Sequence, residues 1–180
     1  MNKLKEFLPL IIKGVNLLFV VLALIFMLAL PCLERSEEGA TVSVAMFSLV
    51  FGNGSMHTVA GPMSADVSYN GGMSFFALAA FLLLVVGVVA FVLSFVLKEK
   101  ARLCLLVAGA LFVVSGILAF LVKTAGTDVT MSVGPVSASE SFADAFSELN
   151  LGVGAILFGV FNVLGGCLLL VNELVLNKNK

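Results

Sequence analysis

The chain has 180 residues, 61% of them hydrophobic and 12% charged, with a net charge of −1. Soluble domains hold about 45–50% apolar and about 25% charged residues, and a soluble fold of this size would be left with large exposed apolar patches. Composition therefore selects a chain solvated by lipid, and the near-zero net charge gives no reason to expect a nucleic-acid partner.

Four stretches are long and apolar enough to cross about 30 Å of hydrocarbon as helices, which takes roughly 20 residues at 1.5 Å each. They are continuous apolar runs, whereas strands of a membrane barrel would alternate and be half as long. The first predicted span covers about 9–30, with Pro9 in its opening turn and Pro31 closing it. Lys3, Lys5 and Lys13 before an apolar run also fit a signal peptide. The run exceeds an ordinary signal core and no Ala-x-Ala site follows, so the segment is expected to be retained. Ala29-Leu30-Pro31-Cys32 resembles a lipoprotein cleavage site, but Pro31 stands where a small residue is needed, and a lipidated Cys32 is the lesser alternative.

A first outer loop, about 32–74, is too long for a bare connector. Thr41–Phe51 reads as a strand, Gly52-Asn53-Gly54 as a hairpin turn, and Met56–Ala60 and Ala65–Tyr69 as two further strands before Asn70-Gly71-Gly72. Glu34, Glu37 and Glu38 form an acidic run, which reads as a solvated face rather than a calcium site. His57 is the single histidine, too few for a metal site of the usual His, Cys and carboxylate spacings. With Cys32 outside and Cys104 and Cys167 toward the inner side, no internal disulfide is expected.

The second span is about 75–97 and the third about 103–122, joined by the short inner link 98–102. The second outer loop, about 123–150, opens on an alternating Asp128–Val133 strand, after which Ser139 would cap a short helix with Phe142, Phe146 and Leu149 on one face. Gly61-Pro62-Met63-Ser64-Ala65 in the first loop is echoed by Gly134-Pro135-Val136-Ser137-Ala138 in the second. The echo reads as a common turn pair or as the trace of a duplicated hairpin.

The fourth span, about 151–174 with Asn150 as its N-cap, carries one stripe of small and polar residues: Gly152, Ala155, Gly159, Asn162 and Gly166, continuing to Glu173. Small residues let helix backbones approach closely in lipid. The stripe is thus a helix-packing face within the chain or a seam between copies, with Ala108, Ser115, Ala119, Gly109 and Gly116 of the third span as its complement. Lys13 and Glu173 stand near the same membrane surface and would pair if the first and fourth spans are neighbours; otherwise each snorkels to the headgroups.

Basic residues mark the cytoplasmic side. The N-terminal piece, the 98–102 link and the C-terminal tail hold eight basic and three acidic residues, net +5, whereas the two long loops hold two basic and eight acidic, net −6. Both termini are therefore expected in the cytoplasm of a multi-pass plasma-membrane protein.

The expected architecture is an all-α transmembrane four-helix bundle, a single domain over 1–180, with a small extracytoplasmic sheet of three or four strands built from the loops. A long strand-bearing first loop, a short inner link and a shorter second loop resemble the claudin and peripheral-myelin tetraspan layout. The Trp, Gly-Leu-Trp, Cys, Cys signature of that family is absent, since the chain has no Trp and one Cys in that loop, so the resemblance implies topology and no tight-junction role. Phe47-Ser48-Leu49-Val50-Phe51-Gly52 and the glycine-rich stretch from Leu151 to Gly166 are similar to small four-span membrane proteins of Firmicute-type bacteria, which implies a bacterial membrane. No phosphate loop, nucleophile elbow or Ser/His/Asp set is present. The sequence reads as a non-enzymatic membrane protein without a cofactor, whose outer loops engage the chain itself or another membrane or extracellular protein; the alternative is a subunit of an oligomeric channel or transporter.

Overall fold

A computed structural model describes residues 2–37, 40–60, 62–133 and 136–176. The element order is α1 (Asn2–Ala29), β1 (Pro31–Glu37), β2 (Ala40–Ala45), α2 (Met46–Phe51), β3 (Asn53–Ala60), β4 (Met63–Gly71), α3 (Phe75–Val96), α4 (Ala101–Ala119), β5 (Val129–Val133), β6 (Val136–Glu140), α5 (Phe142–Ala145), β7 (Asn150–Leu151) and α6 (Val153–Val171). A 3-10 turn, Lys98–Lys100, links α3 to α4, and a π-helical turn, Asn172–Leu176, extends α6. Four helices are long and apolar enough to cross a membrane: Leu10–Ala29, Phe75–Val96, Ala101–Ala119 and Val153–Val175. They support a multi-pass membrane protein. The expectation of an all-α fold is corrected, because the loops form a seven-stranded antiparallel sheet and the molecule is mixed α/β.

The helices pack in the order α3, α4, α6, α1. Their centre is filled by Leu84, Phe112 and Phe158, all wholly buried. Gly87 makes room for the Phe112 ring, since a Cβ there would stand 2.7 Å from it. Ser115 Oγ donates to the Ala80 carbonyl across the α3–α4 contact at 2.7 Å. α1 extends back to Asn2, so Pro9 sits inside the helix rather than in its first turn, and the bond its missing N–H would have made is lost.

The sheet order is β6-β5-β4-β3-β2-β1-β7. Strands β1 to β6 lie side by side in chain order, although α3 and α4 intervene between β4 and β5; β7, just before α6, returns to the far edge and pairs Leu151 with Leu33 and Asn150 with Glu34. Hence Asn150 does not cap the last span. Its backbone belongs to the sheet, and Gly152 is the N-cap, its N–H donating to the Cys32 carbonyl at 2.7 Å. β1 escaped the sequence reading because Glu34, Arg35 and Glu37 carry poor strand propensity, and β6 because its residues are small and polar.

The expected strand Thr41–Phe51 divides at Ala45. Met46, Leu49 and Val50 are buried on one face of α2, a spacing that favours helix over strand. Gly52, at φ 70°, ends that helix in the left-handed conformation, donating to the Ser48 carbonyl. The hairpin signal read at Asn53-Gly54 is therefore displaced, and both residues open β3. Paired strand ends instead stand on either side of the two Gly-Pro echoes, Ala60 with Met63 and Val133 with Val136, as Glu37 and Ala40 do between β1 and β2; Gly61, Gly134 and Pro135 lie outside the described residues. α5 is capped by Ser141, not Ser139, which pairs with Thr130 in the sheet. Ser141 Oγ accepts from the Asp144 N–H at 3.2 Å and donates to the Asp144 carboxylate at 2.6 Å.

Candidate functional site

Outside the spans, a cleft of about 390 Å³ opens where α5 and the turn after it meet β1, β2, β3, β5 and β6. Phe142, Phe146 and Leu149 are buried, as their spacing predicted. They lock α5 in place, with Phe146 edge-on to Phe142 at 4.8 Å and to Tyr69 of β4 at 6.0 Å. Val42, Met56, Met131 and Leu149 line the cleft with apolar surface, while Arg35, Glu140, Asp144 and Glu148 bring charge to it. Arg35 forms an ion pair with Glu148 that joins β1 to the turn after α5. Lys123 Nζ donates to the Leu149 carbonyl at 2.7 Å. Both basic residues of the loops are thus spent on holding the cleft together, and exposed carboxylates remain at its edge.

Burial pushes the Tyr69 hydroxyl up to about 12 and the Cys32 thiol up to about 12. A thiol that stays protonated is a poor nucleophile, and Cys32 packs as a small apolar side chain. His57 faces Asp66 across β3 and β4, Nδ1 to Oδ1 at 2.6 Å. Strand alternation puts that exposed pair on the sheet face opposite Met56, away from the cleft. Glu34 pairs in register with Ser43 and Asn150; Glu38, read with it as an acidic run, lies outside the described residues.

The stripe of the last span divides between two neighbours. A Cβ on Gly166 would stand 2.5 Å from the Gly109 carbonyl, and one on Gly116 would stand 2.6 Å from the Gly159 carbonyl. Two glycine-on-glycine crossings, seven residues apart on each helix, thus join α4 to α6. Gly152 approaches the Pro31 carbonyl, where a Cβ would come to 2.5 Å. Ala155 is wholly buried, and Asn162 Nδ2 donates to the Phe158 carbonyl at 2.9 Å. Sequence reasoning missed Gly154 and Gly165, which lie off the stripe and close on Leu30–Pro31 and on Asn16 of α1.

Glu173 is buried and accepts from Asn172 Nδ2 at 2.7 Å, while Arg102 donates to its backbone carbonyl at 3.2 Å. The Lys13 ammonium lies over the Phe95 ring, 5.0 Å from its centroid. α1 and α6 are indeed neighbours, with Lys13 and Glu173 at the same end of the bundle.

No family model, no curated protein and no solved structure matches this chain.

Proposed function

We propose that the protein is a non-enzymatic component of a bacterial plasma membrane, termini in the cytoplasm, whose outward sheet binds a segment of another polypeptide. The observation that carries this reading is the cleft: apolar at its base, acidic at its edge, and built on rigid elements outside the membrane helices. The charge asymmetry of the sequence supports the orientation, and the two similarities drawn from the sequence support the membrane and the layout. An apolar base with an acidic edge suits a strand or loop carrying Lys or Arg beside an aliphatic side chain. The channel or transporter reading gains no support from the stripe, whose close approaches are filled by α4 and β1 of the same chain.

The test is site-specific photocrosslinking in intact membranes. A crosslinker at Ser147, on the cleft, should yield a discrete polypeptide adduct; one at Ser55, elsewhere in the sheet, should not. Bare monomer at both positions, with native mass spectrometry from gentle detergent also showing monomer, would remove the proposal.

A further inference from the structure

Six residues of this loop carry no charge: α2 reads Met46-Phe47-Ser48-Leu49-Val50-Phe51. One face is fully used, with Met46, Leu49 and Val50 buried. The other face is left open, with Phe47 45% and Phe51 53% exposed and their rings 4.6 Å apart. Two adjacent exposed phenylalanines on a loop domain are costly in water.

The position of α2 resolves the cost. It packs between the sheet-side ends of α1 and α3. The Leu49 carbonyl accepts from the Ser74 N–H at 2.8 Å, fixing α2 to the first turn of α3. The Phe51 ring then meets Phe81, edge-on at 6.2 Å. Phe81 is six residues into the α3 span, about 9 Å along the helix axis from its start. α2 therefore lies at a depth where α3 is already inside the apolar run. Leu28 at the sheet-side end of α1, and Phe75 and Leu82 in the sheet-side half of α3, are all more than half exposed and all on predicted spans.

We infer that α2 is an in-plane membrane helix, with Phe47 and Phe51 seated among lipid acyl chains just below the headgroups. The occupant of this face is lipid rather than a second copy, because Phe51 on it meets Phe81 within the α3 span and because aromatic side chains favour that layer of a bilayer. In this position α2 sets the height and tilt of the sheet above the membrane.

The chain has no tryptophan, so F51W and F47W each introduce a single indole. Each variant is placed in vesicles of plain phosphatidylcholine and in vesicles brominated near the top of the acyl chain. The expected result is blue-shifted emission, quenched several-fold by the brominated lipid and little by aqueous iodide. Red-shifted emission quenched by iodide would overturn the inference. Shielding from both quenchers would overturn it as well, because it means that protein, such as a second copy, covers the face. If F51W does not fold, F47W reads the same face without touching the Phe81 contact.

Discussion

At the scale of single residues, burial sets the chemistry of two groups that composition alone cannot single out. Cys32 and Tyr69 keep their protons in the folded state to about pH 12, where ordinary thiols and phenols titrate near 9.0 and 10.0. Below pH 9 both states are protonated and the groups contribute nothing to pH dependence. Between about 9 and 12 the unfolded chain loses protons that the folded chain retains, so stability should fall as pH rises through that window. The slope can reach about 1.4 kcal/mol per pH unit for each group. Thermal unfolding in detergent, followed from pH 8 to 11, should show the fall beginning near 9, and Cys32→Ala should delay its onset by about one unit. Maleimide at pH 7.5 should leave Cys32 unlabelled until the protein is denatured. The loop cysteine was legible as a thiol without a partner; its complete burial was not, because it depends on β7 returning from 118 residues downstream to close over β1. Gly71 makes the opposite case. A turn was legible at Asn70-Gly71-Gly72, and Gly71 does adopt φ 80°, with the Asp128 carbonyl where a side chain would go. Gly71→Ala should destabilise the β4–β5 pairing by about 1–3 kcal/mol, measurable as a lowered unfolding midpoint.

At the scale of elements, helices in lipid are joined by fit rather than by water exclusion. The paired crossings Gly109–Gly166 and Gly116–Gly159 bring the backbones of α4 and α6 together, with each carbonyl over the other helix's Cα. Gly116→Leu should force the helices apart and cost about 1–3 kcal/mol, whereas Gly14→Ala, inside α1 with nothing within 4 Å of the added methyl, should cost nothing and favour the helix slightly. Steric-trap or SDS-titration unfolding of the two variants distinguishes them. The glycine spacing of span four was legible as a packing face, since a repeat of three and four residues lies on one side of any helix. Which neighbour each glycine meets was not legible: Gly159 and Gly166 turn to α4, Gly165 turns to α1, and Gly154 meets the Leu30–Pro31 backbone between α1 and β1. Span positions were readable to within about three residues, because hydrophobic length is a property of the sequence alone. The helix in the second half of Thr41–Phe51 was not, because a short apolar run has no period long enough to separate strand from helix.

At the scale of the whole molecule, the charge difference between the two sides predicts a testable orientation. A cysteine introduced at Ser139, at the exposed edge of the sheet, should react with an impermeant maleimide on intact cells, and one at Glu99, in the link between α3 and α4, should react only after lysis. The reverse pattern would invert the proposed topology. For the cleft, Glu140→Gln with Asp144→Asn should weaken capture of a Lys-Leu repeat peptide by about tenfold, as titration by fluorescence anisotropy would show, while the side-chain amide oxygen at 144 can still accept from Ser141 Oγ and keep the α5 cap. A bundle with a loop sheet was readable from span lengths and strand patterns. Seven strands were not, because three of them hold charged, small or very few residues and exist only through their partners.

The order of strands has a further consequence. Everything before the link at Lys98–Lys100 supplies β1 to β4, and everything after it supplies β5, β6 and β7, which flank those four strands on both sides. The back half of the polypeptide is therefore a clasp around the front half, gripping it at two edges above the membrane and through α6 on α1 within it. Two separately synthesised halves, cut at that link, have all the interlocking surfaces needed to find each other, and neither can peel away without opening both edges at once.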